Sequence, residues 1–321
     1  MGTPAGGSRS APAAVAPRHD SWLSAFWSTE LDRIDAACAG AGPEALRRFR
    51  ELDSDLWALL LTQSYDVYPN IKALLPDVPE PALQETWNGA SGVILAAQSR
   101  AFYDKLRQRY EWHGERELSA SRVLDFGCGW GRLTRFFARD VEPGNLFGCD
   151  PVQPILDVCR RTRVPATLAR SEFVPGRLPF AGQFDLAYAF SVFTHLSEPA
   201  HEASLHALHG ALATGGLLVL TIRPPEYLRL CEPLAPALAS LGPRPQAELT
   251  GSRYLFAAHA GQPLGAPAPQ GEITYGETVI TMAYVRERWA ERFELLGVDL
   301  LLEDPYQVML TLRARQSESP G

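Results

Sequence analysis

Cysteines are scarce in this sequence, and none of them form a close pair. The chain has five cysteines, an odd number, and no Cys-x-x-Cys pair. A disulfide framework usually uses an even set, and structural zinc sites usually use closely spaced ligand pairs. The cysteine pattern therefore argues against both and predicts a protein of the reducing cytoplasm without a metal site.

Long apolar runs and blocks of basic charge are also missing. No stretch approaches the roughly 18 apolar residues of a membrane span, and prolines interrupt the small apolar residues near the N-terminus. The formal net charge of −7 repels a phosphate backbone, and no block of lysine and arginine offsets it. We therefore expect neither a signal peptide, nor a membrane span, nor nucleic acid as a partner.

The first third of the sequence has the periodicity of helices. Residues 1–19 are mostly Gly, Ala, Pro and Ser, and we predict a disordered tail there, with a second short tail at 316–321. Apolar residues at helical spacing predict an α-helical extension over 20–115. Its helices are expected at about 20–40, 43–61 and 91–112.

From residue 116 the pattern changes to that of an α/β domain, predicted to span 116–315. Short apolar runs alternate with helices, which is typical of a parallel sheet covered by helices. The last two apolar runs, 294–301 and 306–313, predict an antiparallel hairpin. Residues 224–277 break the alternation, and we interpret them as an insertion that caps the site after the fifth strand, with one helix at 227–241. Strands are predicted at 121–126, 145–149, 165–169, 184–190, 215–222 and 278–282.

The most informative segment is the glycine-rich turn after the first predicted strand. Asp125 precedes Gly127-Cys128-Gly129-Trp130-Gly131, and the second predicted strand ends at Asp150. Glycines allow a ligand to lie against bare backbone, and an acidic residue about twenty positions later can accept hydrogen bonds from a ribose. The turn alone fits a nicotinamide cofactor and S-adenosylmethionine equally well.

Further residues favour S-adenosylmethionine. The alternating glycines after Asp125, the run Leu178-Pro179-Phe180 before Phe184-Asp185, and the later segment Gly215 to Leu220 resemble class I S-adenosylmethionine-dependent methyltransferases. The likeness is strongest over 121–222 and continues through 280–315. The resemblance implies a Rossmann-like sheet, S-adenosylmethionine as cofactor and methyl transfer as the activity.

The resemblance also implies roles for individual residues. Asp125 would contact the methionine amino group, Asp150 the ribose, and Pro151 the adenine. Backbone groups of the turn would contact the amino-acid part, the residues after strand three would line the adenine, and the end of strand four would approach the methionine chain and sulfonium. The turn residues are Gly127, Cys128 and Gly129, the residues after strand three are Ser171, Glu172 and Phe173, and those at the end of strand four are Phe190 and Ser191.

Catalytic groups are less clearly indicated. His195 follows strand four, where an imidazole has a suitable pKa for a general base, but it can equally bond the backbone at the next helix. His259 in the insertion is a second candidate base. Cys128 is better interpreted as a packed side chain than as a nucleophile, because methyl transfer from a sulfonium needs no covalent enzyme intermediate.

Aromatic residues outside the sheet are the candidate acceptor contacts. Trp87 lies just before a predicted helix N-terminus, and Tyr254 and Tyr275 lie in the insertion. Trp87 can also belong to a plain capping loop. The acidic charge favours a small-molecule acceptor methylated on oxygen, nitrogen or carbon, such as a specialised metabolite or a sugar. A protein side-chain methyltransferase, a nicotinamide oxidoreductase and a cofactor-binding protein without catalysis remain the alternatives.

Overall fold

The computed structural model describes residues 22–62, 67–260 and 273–315. The predicted tails at 1–19 and 316–321 lie outside these residues. Within the described part, no helix is both long and apolar enough to cross a membrane.

A seven-stranded sheet forms the centre of the structure. Its strands are Val123–Phe126 (β1), Leu146–Asp150 (β2), Thr167–Arg170 (β3), Phe184–Ala189 (β4), Leu212–Ile222 (β5), Phe293–Leu300 (β8) and Val308–Ala314 (β9). The spatial order is β3-β2-β1-β4-β5-β9-β8. The first five strands pair in parallel, and β9 lies antiparallel between β5 and β8. The prediction of a mostly parallel Rossmann-like sheet with a C-terminal antiparallel hairpin is confirmed.

The strand order reverses at β1, which positions the site. From β1 the chain continues to β2 and β3 on one side, and β4 and β5 lie on the other. Asp125 on β1 is therefore flanked by Gly148 of β2 and Tyr188 of β4. A crevice forms at the carboxyl ends of the strands at such a reversal, and ligands bind there in open α/β sheets.

Helices and short turns cover the sheet, and within the described residues five α-helices precede it. The α-helices are Trp22–Ala37 (α1), Ser54–Thr62 (α2), Pro69–Leu74 (α3), Pro81–Asn88 (α4), Gly92–His113 (α5), Thr134–Phe137 (α6), Gln153–Arg161 (α7), Glu198–Ala211 (α8), Ala235–Ser240 (α9), Pro245–Glu248 (α10) and Met282–Arg288 (α11). One hydrophobic core joins the helical extension to the sheet. Within it, Phe102 of α5 packs against Tyr188 and Phe190, with ring centroids 6.2 and 4.7 Å apart.

Two predicted helices are shorter than expected. The helix predicted at 43–61 is a 3-10 turn, Pro43–Phe49, followed by α2, because the Asp53 carboxylate accepts the backbone N–H groups of Asp55 and Leu56 and starts a new helix. The helix predicted at 227–241 is two 3-10 turns and α9. Pro233 and Pro236 lie inside that segment, and proline removes a helix donor.

The insertion contains a strand that the sequence analysis did not predict. Tyr254–Ala258 (β6) pairs antiparallel with Gly276–Ile280 (β7), which begins two residues before the predicted strand at 278–282. This small sheet joins the main domain through backbone hydrogen bonds. The Gly276 N–H donates to the carbonyl of His195 at 2.8 Å, and the Ser197 N–H donates to the carbonyl of Thr274 at 2.9 Å. The returning end of the insertion is thus fixed beside the carboxyl end of β4.

Candidate active site

A cavity occupies the crevice at the carboxyl ends of β1, β2 and β4. It encloses about 1050 Å³ when the open solvent at its mouth is counted. The sheet and the glycine turn form its floor, α4 contributes to one side, and the two residues before β7 contribute to the other. Its walls include Trp87, Asn88, Asp125, Gly127, Cys128, Gly129, Trp130, Arg132, Asp150, Pro151, Val152, Ser171, Glu172, Phe173, Phe190, Ser191, Val192, His195, Leu196, Thr274 and Tyr275.

The glycine turn presents bare backbone to this cavity. Gly127 and Gly129 have φ of 73° and 54°, in the left-handed region that favours glycine. A Cβ at Gly127 would lie 2.4 Å from Cγ2 of Val192, and one at Gly129 would point toward Trp87 at 3.6 Å. The turn is held to β2 by the N–H groups of Gly127 and Cys128, which donate to the carbonyl of Cys149.

Asp150 ends β2 as a buried carboxylate, 4% exposed. One oxygen accepts the Gly129 N–H at 3.0 Å and the other accepts the Val152 N–H at 2.9 Å. Burial raises the pKa of Asp150 to about 6. The two backbone donors stabilise the ionised carboxylate and so limit this rise. Each oxygen keeps a lone pair for a hydroxyl donor in the cavity.

Asp125 is the second buried carboxylate, 3% exposed. Its Oδ2 accepts the Thr134 hydroxyl at 2.6 Å. Burial raises the pKa of Asp125 to about 7, the Thr134 hydrogen bond lowers it, and the charge of Asp150 raises it. A cation bound beside Asp125 would stabilise the ionised form, because opposite charge favours the charged state of a carboxyl group.

Apolar and aromatic side chains form one wall of the cavity. Trp87 and Phe173 pack with Trp130 and Val152 in a small cluster. The Trp130 Nε1 donates to Asn88 Oδ1 at 2.7 Å and ties α4 to the glycine turn. The Trp87 Nε1 is buried and has no acceptor among the described residues. A flat ligand ring with a polar edge fits this wall.

The end of β4 is held in an unusual conformation. Ser191 has φ of 57°, rare for a residue with a side chain. Its N–H donates to Thr221 Oγ1 at 2.8 Å, and its hydroxyl accepts from Gln307 Nε2 at 3.0 Å. Neighbouring strands therefore impose this conformation, and such enforced strain is common where a backbone approaches a ligand.

Comparison with known proteins identifies the central segment. Residues 123–216 match a family model described as a methyltransferase domain, from β1 into β5. The chain contains a class I S-adenosylmethionine-dependent methyltransferase domain. The cofactor of this domain is S-adenosylmethionine. Several features of the cavity suit this cofactor. The two buried carboxylates suit its hydrogen-bond donors, and the orphaned Trp87 N–H and the bare glycine turn suit its acceptors. The aromatic wall suits its adenine ring.

Individual relatives match the methyltransferase domain over part of their length. An uncharacterized methyltransferase of Schizosaccharomyces pombe is 32% identical over 124 residues, which cover 33% of this chain and 44% of that protein. A ubiquinone biosynthesis O-methyltransferase of Pseudomonas aeruginosa is 29% identical over 130 residues, 37% of this chain and 53% of that protein. The chain thus spans about half the length of these relatives. Magnesium protoporphyrin IX methyltransferase of Synechocystis superposes with a TM-score of 0.45 at 14% identity, over 70% of this chain and 86% of that one.

The structure brings most of the expected site residues of the methyltransferase domain together. All eleven expected cofactor residues line the cavity: Asp125, Gly127, Cys128, Gly129, Asp150, Pro151, Ser171, Glu172, Phe173, Phe190 and Ser191. Of the expected acceptor contacts, Trp87 and Tyr275 line it. Trp87 lies in the last turn of α4, which ends at Gly89 with φ of 71°, rather than in a loop.

Tyr254 and His259 are placed away from the cavity wall. Neither is among the described residues that line it. The Tyr254 hydroxyl donates to the carbonyl of Leu196 at 2.8 Å, and its ring packs against Tyr284. The His259 Nε2 lies 3.0 Å from a Glu277 oxygen. The insertion thus presents Tyr275, rather than these two side chains, to a ligand.

His195 lines the cavity, but both of its ring nitrogens are engaged. A carbonyl can only accept and a guanidinium can only donate, so Nδ1 donates to the Gly276 carbonyl at 2.7 Å and Nε2 accepts from Arg223 at 3.2 Å. Burial lowers the pKa of His195 to about 3, and the positive charge of Arg223 lowers it as well. Arg223 is itself paired with Glu277. The imidazole is therefore neutral and stacks on Tyr275, with ring centroids 4.9 Å apart.

The sequence analysis missed several cavity residues, of which Arg132 is the most unusual. It follows the glycine turn directly and is 6% exposed. Its guanidinium lies 4.7 Å from the ring centre of Phe190 on another strand. This placement depends on packing between β1 and β4, which no local sequence signal records.

Proposed function

We propose that this chain transfers a methyl group from S-adenosylmethionine to a small-molecule acceptor. The observation that carries the proposal is one cavity that combines the glycine turn, two buried carboxylates and walls from both the N-terminal extension and the insertion. The named O-methyltransferase relative acts in ubiquinone biosynthesis, which supports a small acceptor. Five free and buried cysteines support the reducing cytoplasm as the location.

The proposed cofactor position follows from the chemistry of the cavity residues. The ribose hydroxyls donate to Asp150, and the adenine lies between Pro151 and the segment Ser171 to Phe173. The methionine amino group faces Asp125. The sulfonium sulfur of the cofactor then lies near Phe190 and Ser191, because the cofactor must extend from the end of β2 to the end of β4.

The cavity walls favour a small acceptor. Trp87 of α4 and Tyr275, which directly precedes β7, both line it, and backbone hydrogen bonds fix the β7 side. A walled cavity also excludes water, which strengthens electrostatic contacts inside it. A protein substrate would need an open groove that can admit a backbone together with its side chain.

The residues present favour an acceptor that is already nucleophilic. Methyl transfer is an in-line displacement in which the sulfonium becomes a neutral thioether, so no acid is needed for the leaving group and positioning supplies much of the rate. His195 has no free lone pair and a pKa lowered to about 3. We therefore assign His195 to holding Tyr275 in place rather than to proton abstraction. An amine, a phenolate, a carboxylate or a stabilised carbanion would suit such a site.

Transfer of a radioactive methyl group tests this proposal. The protein is incubated with methyl-tritiated S-adenosylmethionine and a cell extract separated into molecules below and above the size of a small peptide. We expect label in the small fraction, lost with Asp150→Asn and kept with Asp157→Asn, a half-exposed aspartate on α7. Label only in the protein fraction would overturn the small-molecule assignment. No transfer, together with binding of NADH instead of S-adenosylhomocysteine, would overturn the proposed methyltransferase activity.

A further inference from the structure

Tyr275 carries a hydroxyl that the rest of the described chain does not engage. The residue is partly buried, lines the cavity and directly precedes β7. Among the described residues its hydroxyl makes no hydrogen bond, whereas the nearby Tyr254 hydroxyl donates to the carbonyl of Leu196. The Tyr275 hydroxyl is therefore available to a ligand in the cavity.

This hydroxyl is protonated at neutral pH. Burial raises the pKa of Tyr275, the positive charge of Arg223 lowers it, and the negative charge of Asp150 raises it. Asp150 lines the same cavity, so the hydroxyl lies within electrostatic reach of the floor on which the cofactor is proposed to bind. A phenol whose pKa is raised keeps its proton and donates it in a hydrogen bond. The hydroxyl thus offers a proton to a lone pair on the ligand.

The ring of Tyr275 is held against two imidazole rings. It stacks on His195, with ring centroids 4.9 Å apart and planes 19° apart, and it meets the ring of His259 at 5.2 Å and 75°. The His195 ring cannot turn without losing its hydrogen bonds to Gly276 and Arg223. The phenol is therefore fixed in position by the protein itself.

Glu277 on β7 anchors this arrangement. Its carboxylate forms an ion pair with Arg223, accepts the Tyr227 hydroxyl at 3.3 Å and lies 3.0 Å from His259 Nε2. The Arg223 guanidinium also lies 4.2 Å from the ring centre of Tyr227 and reaches His195 Nε2. One carboxylate thus joins the insertion to the segments that follow β4 and β5, and it supports both imidazoles beside the phenol.

We propose that the Tyr275 hydroxyl donates a hydrogen bond to the methyl acceptor and so orients its nucleophilic atom toward the sulfonium. Glu277 acts as a positioning residue for this contact, through Arg223 and His195. The inference rests on the proposed function, which gives the two buried carboxylates to the cofactor and leaves the side of the cavity next to β7 to the acceptor. The acceptor then carries an oxygen or nitrogen lone pair beside the methylated atom, as in a carbonyl, a carboxylate or a phenolate.

Removing only the hydroxyl tests the first part of the proposal. Tyr275→Phe keeps the ring on His195 and is assayed with methyl-tritiated S-adenosylmethionine and a dilution series of the small-molecule fraction of a cell extract. We expect the apparent kcat/KM for this fraction to fall by about tenfold, the effect of losing one hydrogen bond in a closed cavity. The affinity for S-adenosylhomocysteine, measured by calorimetry, is expected to stay within about threefold. Tyr110→Phe, which removes a hydroxyl bonded to Ser121 ahead of β1, should match the parent chain in both measurements.

A paired substitution tests the second part without leaving a buried charge alone. Arg223→Met combined with Glu277→Leu removes both ions, and replacing a buried ion pair by apolar side chains is often neutral for stability. We expect kcat for the same fraction to fall by about tenfold or more, because the phenol is no longer fixed, with S-adenosylhomocysteine affinity within about threefold of the parent chain. Adding Tyr275→Phe should then cost little more, because residues that act through one group are not additive. If the paired variant does not fold, Arg223→Lys replaces it, with a smaller loss that is again not additive with Tyr275→Phe.

Three results would overturn the proposal while leaving the proposed function standing. An unchanged kcat/KM in Tyr275→Phe would remove the hydrogen bond to the acceptor. A loss of S-adenosylhomocysteine affinity as large as the loss of transfer would place the hydroxyl at the cofactor. Additive losses in the combined variant would remove the positioning role of Glu277. Failure of the parent chain to bind S-adenosylhomocysteine and to transfer a methyl group would overturn the proposed function and this inference with it.

Discussion

Individual carboxylates set the chemistry of the cavity. Asp150 accepts two backbone N–H groups, whereas Asp125 accepts one hydroxyl, and burial raises the pKa of both. Burial is the largest cause for both groups, and the negative charge of Asp150 adds to it at Asp125, so the pKa of Asp125 rises to about 7 and that of Asp150 to about 6. Ribose hydroxyls and an ammonium both donate hydrogen bonds, so they prefer the ionised carboxylates.

Cofactor affinity should therefore depend on pH. As the pH rises through about 6 and then about 7, Asp150 and Asp125 lose their protons and become acceptors. We expect the dissociation constant of S-adenosylhomocysteine, measured by calorimetry from about pH 5 to about pH 8, to fall with rising pH, by up to about tenfold per pH unit between the two pKa values and more steeply below both, where two protons must be released. Asp150→Asn should remove the lower step, and Asp157→Asn should leave the curve unchanged. A flat curve for the parent chain would contradict the assignment of both carboxylates.

At the scale of elements, α6 joins the N-terminal extension to the sheet. Arg139, two residues past the end of the helix, reaches back to the extension, where it donates to the carbonyls of Phe49 and Leu52 and to the Tyr103 hydroxyl. Trp57 on α2 donates its Nε1 to the carbonyl of Phe136. The extension therefore shares one hydrophobic core with the sheet.

Removing Arg139 should cost stability, in contrast to Arg132. Arg139→Gln leaves buried carbonyls without donors, so we expect the free energy of unfolding in urea to fall by roughly 3 kcal/mol. Arg132→Gln is the matched comparison, because both arginines are buried and only Arg139 has acceptors among the described residues. Equal destabilisation by the two substitutions would contradict the view that the hydrogen bonds of Arg139 to Phe49 and Leu52 cause the loss.

Elements with strong local signals were predictable from the sequence. The glycine turn, Asp150 at the end of β2 and the positions of the parallel strands along the chain follow from patterns that adjacent residues carry. The division of the helix predicted at 43–61 depends on one capping carboxylate, Asp53, and β6 depends on pairing with β7 some twenty residues later. Such features need tertiary context, which periodicity does not contain.

The candidate site was predictable from the sequence to about the same extent as the fold. Residues that touch the cofactor in related domains lie on the turn and the strand ends, where motifs place them. The engagement of His195 by Arg223, the exclusion of Tyr254 from the cavity wall and the contact of Arg132 with Phe190 arise from contacts between distant segments. These contacts decide which groups remain free for a ligand, and they cannot be deduced from spacing along the chain.

For the whole molecule, three segments of the chain meet at one cavity. The sheet supplies the cofactor floor, α4 supplies Trp87 and Asn88, and the chain just before β7 supplies Thr274 and Tyr275. We therefore expect acceptor choice to depend on the extension and the insertion, and cofactor binding to depend on the segment from β1 to β5. This division of roles is the central claim of the account.

A crystal structure of the full chain with S-adenosylhomocysteine tests that claim most directly. We expect the ribose hydroxyls at Asp150, the adenine beside Phe173, the amino group at Asp125 and the sulfur near Ser191, with Tyr275 facing the remaining space. A ligand bound in the reverse orientation, or outside the crevice at the ends of β1, β2 and β4, would contradict it.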